Sequence, residues 1–597
     1  MKKTIGILAH VDAGKTTLSD MLLYITGKVR NLGQVNNKTS NLDTNEIEKA
    51  RGITIFADQA QFEYRDNVYY LIDTPGHIDF SPETERSLMA LDYAILLING
   101  PAGVQSHTFT LFRLLESYNI PFFIFINKTD MEGFNAYKVI KDIELKLTKN
   151  IAVIDNIEDS GEIAAENDED FLEKYIDGKY SNEDIEKSLS LTIKERKIYP
   201  VCMGTALSSE SIKKFFDIFD RLTYTDYNEN EDFEGIVYKI RNTDTRLTFI
   251  KCLKGKINVK DELVFDESEK INEIRFYNGA KYENRQSAQA GDVFAVTGLK
   301  SPLCGNLIRN KNNNTEKRKY MLQSALESGV IIKDNTDVTA VMKKLQVIES
   351  EEPSLSVHFN SETQEVLIYA MGKIQLEVLE QEVKDRFNIE IGFKNPKIQY
   401  RESISAPVTG YGHFEPMRHY AEVKLRLEPG ERGSGITFES KCDKERLPAH
   451  WHKLTEKHIF EKTHIGILTG SPLTDVHIVL VDGKDHLKHT EPGDFREATY
   501  RAVRQGLEKA ENIILEPYYR FEIYTDSEYI GRIMSDIQKR RGSFEPPLQN
   551  ENYVYIKGRG PVEEFMDYGT EFLAFTKGTG TVNMVFDGYE VCDEAVK

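Results

Sequence analysis

IGILAHVDAGKTT, residues 5–17, is the stretch that decides the fold of the N-terminal domain. Residues 5–9 form a short apolar run that suits a buried parallel strand, and the apolar periodicity of residues 18–25 predicts a helix. Strand, glycine loop, Lys-Thr and helix follow in the order that a phosphate-binding loop requires, because loop amides and a helix N-terminus point at the phosphates. The sequence therefore predicts an α/β domain that binds a nucleotide.

The same loop is expected to supply ligands for phosphate and for Mg²⁺. Lys15 would reach the β- and γ-phosphates, and the Thr16 hydroxyl would bind Mg²⁺. The first glycine of the general pattern is missing, and Ala9 stands in its place. The predicted phosphate-binding residues are Asp12, Ala13, Gly14, Lys15, Thr16 and Thr17.

Two further segments supply residues that respond to the terminal phosphate. Asp73 opens the DTPGH stretch, ends a second apolar strand and can hold Mg²⁺ through water. The N–H group of Gly76 can bind the γ-phosphate, and its conformational freedom lets the loop swing when that phosphate leaves. Thr54, in RGITI at residues 51–55, is predicted as a second hydroxyl ligand for Mg²⁺ once the triphosphate orders its loop.

The base-binding residues follow a third strand, predicted over residues 120–126. A carboxylate at Asp130 can accept two hydrogen bonds from the N1–H and N2–H₂ groups of guanine. Adenine lacks this donor pattern, so the predicted nucleotide is GTP. The backbone of residues 205 and 206 is offered to the guanine O6, although Gly204 stands where a serine is usual. The predicted base-binding residues are Asn127, Lys128, Asp130, Thr205 and Ala206.

Composition limits the class of protein and its location. The chain has 597 residues, more than one hydrophobic core normally supports, so several domains are expected. Its N-terminal apolar stretch is only a few residues long and leads into charged residues, so we expect no signal peptide. It has no run of about 18 apolar residues, so we expect no transmembrane helix and no membrane partner. The five cysteines are far apart, which favours free thiols in a reducing cytoplasm. A net charge of −20 argues against indiscriminate coating of nucleic acid and leaves local RNA contacts open.

AHVDAGKTT, RGITI, DTPGHIDF and NKTD are similar to segments of the translational GTPases, and Ala9 matches elongation factor G and its relatives. The resemblance implies that His77 is catalytic and orients the attacking water, or supports its deprotonation, once ribosomal RNA pushes the ring inward. It implies that Val11 and Ile53 form an apolar gate for this ring, with core packing as the alternative. It also implies that Asp12 helps to bind a monovalent cation. No arginine finger is evident, so we expect slow intrinsic turnover and activation by a partner.

The remaining chain resembles the later domains of elongation factor G. Short strands punctuated by glycines predict a β-barrel, and a strand–helix order around residues 373–387 predicts a split α/β sandwich. The acidic segment 151–170 is predicted to be a solvated excursion. The fold class is thus an α/β multidomain protein with a P-loop GTPase domain at 1–225, a β-barrel at 232–312, and α/β domains at 318–395, 398–515 (an arm) and 516–597.

The arm domain is expected to carry a tip loop at residues 484–491. In the resembled family such a tip enters the decoding region of the ribosome. Short cationic or hydrogen-bonding side chains suit contacts to RNA phosphates and bases, and a solvated hairpin turn is the alternative. A second basic group at residues 539–541 could meet RNA or be an exposed helix end. The predicted ribosome-contacting residues are Lys484, His486, Lys488 and His489.

Three functions remain open, each with GTP as substrate and Mg²⁺ as cofactor. The first is a ribosomal protection protein resembling the tetracycline-resistance factors, whose compact length this chain shares. Against drug displacement, those factors carry Ser-Pro-Val where this chain has residues 487–489, and a C-terminal helix where this chain stops soon after Cys592.

The second is a translocase or accessory copy of elongation factor G, since His486 aligns with a tip histidine of the translocase. The third is a GTP-switched regulator that does not act on ribosomes. We adopt the first, as a monomer that binds GTP, GDP and the ribosome.

Overall fold

The computed structural model describes residues 1–29, 46–51, 54–265, 267–279, 281–310, 313, 320–334, 336–360, 364–549 and 553–592. Among these residues the chain forms two units, Met1–Ser324 with Ser328–Pro396, and Ala325–Glu327 with Lys397–Lys597. Within the same ranges, every helix is too short or too polar to span a lipid bilayer.

A mostly parallel sheet forms the centre of the N-terminal domain. Its strands are β1 Lys2–Ala9, β2 Asp58–Tyr64, β3 Asn67–Asp73, β4 Tyr93–Asn99, β5 Phe122–Asn127, β6 Ile151–Val153 and β7 Tyr199–Met203. They are arranged in the order β2-β3-β1-β4-β5-β7-β6, and β2 is antiparallel to β3 while the others pair in parallel. The run of residues 5–9 lies in β1, and β5 begins two residues later than the strand predicted over residues 120–126. The predicted motifs follow the carboxyl ends of β1, β3, β5 and β7.

Helices cover both faces of this sheet. Neighbouring side chains of a strand point to opposite faces, and Phe122 stacks edge-on against Phe112 while Phe123 packs against Phe219. The helices are α1 Lys15–Ile25, α2 Glu46–Arg51, α3 Ser81–Leu88, α4 Ser106–Ser117, α5 Ala136–Lys146, α6 Gly161–Asn167, α7 Glu169–Ile176, α8 Asn182–Lys194 and α9 Ser209–Leu222. This is the doubly wound arrangement expected of a nucleotide-binding domain.

The acidic segment 151–170 is not the solvated excursion predicted from its charge. Its first residues form β6, which extends the sheet by pairing with β7. Ile154, Ile157 and Ala164 are buried in the main core of the domain. The prediction was wrong because it weighed the acidic side chains and overlooked the apolar residues spaced between them.

The second domain is built from antiparallel strands, as the alternation of strands and turns predicts. The strands are β8 Glu234–Asn242, β9 Arg246–Lys254, β10 Lys256–Asn258, β11 Glu262–Val264, β12 Ser268–Lys270, β13 Glu273–Asn278, β14 Lys281–Arg285, β15 Ser287–Gln289, β16 Val293–Thr297 and β17 Leu307–Arg309. The main sheet has the order β14-β13-β16-β9-β8-β17. Its core continues into the GTPase domain through Tyr70, Ile72 and Ala90.

The third domain packs two helices on a small sheet. Its elements are β18 Leu326–Ile332, α10 Val338–Glu351, β19 His358–Asn360, β20 Glu365–Ala370, α11 Lys373–Phe387 and β21 Ile391–Phe393. The sheet order is β19-β20-β18-β21, and the core contains Val341, Leu345, Ile368 and Leu379. The helix predicted over residues 373–387 is confirmed at both ends.

The second unit contains two further sheets with helices. Its elements are β22 Lys397–Ile398, β23 Arg401–Ile404, β24 Val408–Phe414, β25 Ala421–Pro429, β26 Ile436–Ser440, α12 Ala449–Phe460, β27 Val476–Asp485, α13 Pro492–Lys509, β28 Asn512–Asp526, α14 Ile530–Lys539, β29 Ser543–Phe544, β30 Leu548–Gln549, β31 Tyr553–Pro561, α15 Val562–Phe565, α16 Tyr568–Phe575 and β32 Thr581–Val591. One sheet has the order β24-β25-β27-β26, and the other has the order β23-β28-β31-β29 with β32 also paired to β28. Strand β23 comes from the segment predicted to start the arm, and it pairs with β28 of the other sheet. Its last residue, Ile404, is buried in the core of the arm, so the strand contacts both C-terminal domains.

Candidate functional site

The loop between β1 and α1 contains two residues with left-handed backbone. Asp12 has a φ of 62°, and Gly14, the N-cap of α1, has a φ of 99°. A Cβ at Gly14 would also lie 2.4 Å from Nδ2 of Asn127, so both the conformation and the space require glycine. The N-cap offers no side chain, which leaves the first N–H groups of α1 available to an anion. A loop that binds phosphate needs such free N–H groups, and residues 12–17 are the ones predicted to bind phosphate.

Lys15 lies at the centre of a buried polar cluster at the carboxyl ends of β1 and β3. Its Nζ donates hydrogen bonds to Oδ2 of Asp73 at 2.5 Å and to Oγ1 of Thr54 at 3.0 Å. The Lys15 side chain is 7% exposed and Asp73 is fully buried. The structure therefore brings together three predicted residues from three separate segments of the chain.

Ser19 joins this cluster, although no sequence motif marks it. Its Oγ donates to Oδ1 of Asp73 at 2.8 Å. Ser19 follows Lys15 by one helical turn, so the two side chains lie on the same face of α1. That spacing is the signal that could have identified it.

The oxygen atoms of this cluster fit Mg²⁺. Mg²⁺ prefers a compact set of carboxylate, hydroxyl and water oxygens. Asp73 and the hydroxyl of Thr54 lie in the cluster, and Thr16 is the second residue of α1, directly after Lys15. The Lys15 ammonium group shows that these oxygens accommodate a cation.

Gly76 brings the DTPG turn against the phosphate-binding loop. A Cβ at Gly76 would lie 3.3 Å from the carbonyl oxygen of Ala9 and 3.8 Å from the backbone nitrogen of Val11. Thr74 fixes the end of β3 by donating from Oγ1 to the carbonyl oxygen of Ile7 at 2.8 Å. The turn and the loop thus meet at one edge of the sheet.

His77 begins the 3-10 helix Ile78–Phe80 and has one ring nitrogen engaged. Nδ1 accepts a hydrogen bond from the N–H group of Asp79 at 3.1 Å. In a neutral ring with this bond, the proton is on Nε2. The ring centroid is 6.1 Å from that of Phe80, and the side chain is 24% exposed. The ring is therefore fixed by its own turn and still accessible.

The predicted apolar gate is described only in part. Val11 is half-buried in the phosphate-binding loop. Ile53 lies outside the described residues, so its place in a gate stays a prediction.

Two further histidines lie near His77. His107, on α4, is buried, and its ring centroid is 6.2 Å from that of His10. Burial, together with the neighbouring His10 and His77, lowers the pKa of His107 to about 3. Burial also lowers the pKa of His10. Both rings are therefore neutral at physiological pH. No motif marks His107, and only the packing of α4 reveals it.

Asn127 connects the base-binding segments to the phosphate-binding loop. Its Nδ2 donates to the carbonyl oxygen of Ala13 at 2.8 Å, and its Oδ1 accepts from the N–H group of Ala206 at 2.7 Å. Lys128 donates from Nζ to the carbonyl oxygen of Asp12 at 2.6 Å. Asp130 is exposed two residues further on. The predicted base-binding residues of both segments thus lie at one site.

Ser211 explains the glycine at position 204. A Cβ at Gly204 would lie 2.1 Å from Oγ of Ser211. That hydroxyl accepts a hydrogen bond from the N–H group of Thr205 at 3.1 Å. Ser211 of α9 therefore occupies the space that a side chain at position 204 would need and holds the backbone of Thr205, a contact that the adjacent sequence does not reveal.

In the second unit, the predicted tip loop is exposed and stabilised by its own contacts. The rings of His486 and His489 stack at 4.7 Å, and Leu487 between them is fully exposed. Thr490 donates from Oγ1 to the carbonyl oxygen of Tyr420 at 2.6 Å. Asp485, the acidic residue of the loop, accepts a hydrogen bond from the indole of Trp451 at 3.0 Å. The side chains of all four predicted tip residues, Lys484, His486, Lys488 and His489, are exposed.

The basic group at residues 539–541 is mostly paired within its own domain. Arg541 contacts the buried Glu516 at 2.8 Å, and Arg540 contacts Glu571 at 2.6 Å. Lys539 is exposed at the end of α14. These ion pairs favour the interpretation as a helix end over an RNA-binding group.

The chain matches four family models in chain order. They are the elongation factor Tu GTP binding domain at residues 2–225, elongation factor G domain III at 323–395, elongation factor G domain IV at 396–511 and the elongation factor G C-terminus at 513–597.

Three relatives are similar over nearly their whole length. Tetracycline resistance protein TetP of Clostridium perfringens is 31% identical over 622 residues, covering 99% of this chain and 95% of the relative. Elongation factor G of Carsonella ruddii (strain PV) is 29% identical, covering 98% of this chain and 97% of the relative. Elongation factor G 2 of Syntrophus aciditrophicus (strain SB) is 28% identical, covering 98% of each.

One solved structure, a protein from Thermus thermophilus, aligns with a TM-score of 0.65 and 23% identity over 100% of this chain and 98% of that chain, and supports the fold alone.

A parallel sheet whose phosphate-binding loop, DTPG turn and NKTD segment meet at one edge defines a P-loop GTPase. The chain belongs to the translational GTPase family and is a GTPase of the elongation factor G type. The family uses GTP, usually with Mg²⁺, and elongation factor G-like GTPases act on the ribosome. The predicted family and fold class are confirmed, and the alternative of a regulator that does not act on ribosomes is disfavoured.

Proposed function

We propose that this protein binds the ribosome and remodels it when GTP is hydrolysed, in the manner of a ribosomal protection protein. The observation that carries the proposal is the similarity to TetP along 99% of this chain and 95% of that protein. That alignment spans 622 residues, whereas those with the two elongation factor G relatives span 665 and 670. The latter relatives thus contain more residues without a counterpart here, and the compact length favours the protection type.

GTP binding is proposed to use the residues that meet at the sheet edge. Lys15 exchanges its ion pair with Asp73 for the β- and γ-phosphates, and Gly76 donates its N–H group to the γ-phosphate. When bound, Mg²⁺ would neutralise phosphate charge, held by the hydroxyls of Thr16 and Thr54 and, through water, by Asp73. Asp130 selects guanine by accepting from its N1–H and N2–H₂ groups. A monovalent cation at Asp12 is part of the same proposal.

His77 is proposed to orient the attacking water. Its Nδ1 accepts from the N–H group of Asp79, so Nε2 is the ring nitrogen left for the water. Val11 and Ile53 form the gate that the ring passes. Phosphoryl transfer requires mainly positioning and charge stabilisation, so a histidine moved into place by a partner is enough to switch the rate.

Ribosomal RNA is the proposed partner of the tip loop. Lys484, His486, Lys488 and His489 are exposed together, while the carboxylate of Asp485 is engaged by Trp451. The loop thus presents donors and cations with its acidic group occupied, which suits phosphate and base contacts. A monomer acting in the cytoplasm completes the proposal.

The second candidate function is an accessory factor for translocation without drug release. Two observations favour it. The elongation factor G relatives are almost as similar, at 29% and 28% identity, and His486 is exposed at the tip.

Three measurements on one preparation distinguish these functions. GTP turnover is measured with and without 70S ribosomes, followed by release of labelled tetracycline from ribosomes and then by translocation. Lys15→Ala, which removes the phosphate-binding cation, is the control for contaminating GTPases. The proposal predicts stimulated turnover with drug release. Stimulation with translocation and without drug release would favour the accessory factor, and turnover that ribosomes leave unchanged would refute both.

A further inference from the structure

Helix α11 of the third domain receives its N-terminal cap from the GTPase domain. The helix follows Gly372, which has no side chain to accept from the first turn, where N–H groups have no intrahelical partner. Oδ2 of Asp79 accepts hydrogen bonds from the N–H groups of Ile374 at 3.0 Å and Gln375 at 3.3 Å. A residue two positions after His77 thus caps a helix that begins almost three hundred residues later.

The helix start fits closely around this carboxylate. A Cβ at Gly372 would lie 2.4 Å from both carboxylate oxygens of Asp79, so any larger residue would displace the carboxylate or the helix. Gln375, which is buried, completes the turn by accepting from the N–H group of Met371 through Oε1 at 2.7 Å. The position is therefore shaped for the side chain of Asp79.

Asp79 is at the same time the residue that holds His77. Its N–H group donates to Nδ1 of His77 at 3.1 Å, and its Oδ1 is 3.7 Å from that nitrogen. One residue thus connects the ring of His77, through its backbone, to α11, through its side chain.

Two further contacts hold the third domain to this loop. Phe80 is buried with Ile55 and with Val378 of α11 in a small hydrophobic cluster. Arg86, on α3, binds both carboxylate oxygens of Glu352 at 2.5 and 2.7 Å, and this guanidinium is almost fully buried. Because these contacts flank Asp79, a displacement of the third domain would act on the segment that carries His77.

We propose that Asp79 is a positioning residue that couples the third domain to the GTPase reaction. By capping α11 with its side chain and holding His77 with its backbone, it makes the orientation of the catalytic ring depend on where the third domain lies. A ribosome that moves or holds the third domain thereby sets the rate of GTP hydrolysis. This inference rests on the proposed role of His77.

The test compares full-length variants in ribosome-stimulated GTP hydrolysis, with kcat and KM measured separately. Asp79→Ala removes the cap, Gly372→Ala places a methyl group where the carboxylate lies, and Asp79→Asn keeps an oxygen that accepts from the helix. Asp337→Ala is a matched control, since Asp337 caps α10 of the same domain with hydrogen bonds of the same lengths, 3.0 and 3.3 Å, to the N–H groups of Thr339 and Ala340.

We expect Asp79→Ala and Gly372→Ala each to lower kcat about tenfold or more, because small misplacements of a catalytic group have large effects on rate. The double variant should lose little more than either single one, because both changes break the same contact. GTP affinity should stay within about twofold, and Asp79→Asn should recover part of the rate, since its amide oxygen still accepts from the helix. Asp337→Ala should keep its kcat, although it removes a helix cap from the same domain and lowers its thermal stability.

The inference is overturned if Asp79→Ala and Gly372→Ala retain the full kcat, or if Asp337→Ala loses as much. His77→Ala, measured alongside, keeps the two proposals separate. If His77→Ala retains its turnover, the catalytic assignment itself fails. If only His77→Ala loses turnover, the coupling through Asp79 is wrong and the role of His77 stands.

Discussion

Replacing His77 with alanine should separate catalysis from folding and from nucleotide binding. The ring accepts one hydrogen bond, from the N–H group of Asp79, and its side chain is 24% exposed. A hydrogen bond of this kind contributes about 0.5–1.5 kcal/mol, so the free energy of unfolding should fall by no more than about 1.5 kcal/mol. A positioned acid–base group raises a reaction rate by a factor of about 10²–10⁴, so ribosome-stimulated turnover should fall by that factor.

The assay is single-turnover GTP hydrolysis on purified ribosomes, accompanied by nucleotide affinity and thermal unfolding. GTP affinity should change by less than about twofold, because the phosphates are proposed to be bound by Gly76 and the β1–α1 loop, and not by the ring. Lys15→Ala is the opposite control and should lose GTP affinity, since its ammonium group is the buried cation of the proposed phosphate site. Stimulated turnover of His77→Ala within twofold of the unchanged protein would refute the reasoning.

Two further predictions concern the tip loop and a buried histidine. Lys488→Ala and His489→Ala should weaken ribosome-stimulated turnover several-fold and leave nucleotide affinity unchanged; an equal fall in nucleotide affinity would contradict the tip assignment. His107 has a folded-state pKa of about 3, below the value of about 6.5 in the unfolded chain, so protonation favours unfolding and stability is lost as the pH falls below 6.5. The loss is about 1.4 kcal/mol per pH unit, so His107→Leu should reduce the stability difference between pH 7 and pH 5 by about 2 kcal/mol. An unchanged pH dependence in chemical denaturation would show that the group does not titrate in this way.

The sequence predicts those parts of the site whose chemistry lies in contiguous residues. The β1–α1 loop is one such part, because its left-handed residues, its lysine and its helix start are adjacent in the chain. Ser211 shows the limit, since it lies on a different element, fills the space beside Gly204 and accepts a hydrogen bond from Thr205. The segment 151–170 shows another limit, because its charges concealed the apolar residues that join the core. In both cases the residues concerned meet only in the folded chain, so the local sequence pattern does not predict their contact.

Helix α3 shows why the contacts between domains could not be predicted from the sequence either. Its sequence SPETERSL is that of an exposed helix, yet every residue of it is buried. Glu83 accepts from the N–H group of Ala57, Glu85 accepts from those of Met321 and Leu322, and Arg86 binds Glu352. Arg86 is almost fully buried and Glu352 is only partly exposed, so removing either partner would leave a poorly solvated charge; these contacts connect the neighbouring domains to the loop that precedes the helix. That loop carries Gly76 and His77, so a force applied to the third domain reaches the residues proposed to sense and hydrolyse GTP. Polar residues that local pattern assigns to solvent are thus the ones that connect the reaction to the rest of the molecule.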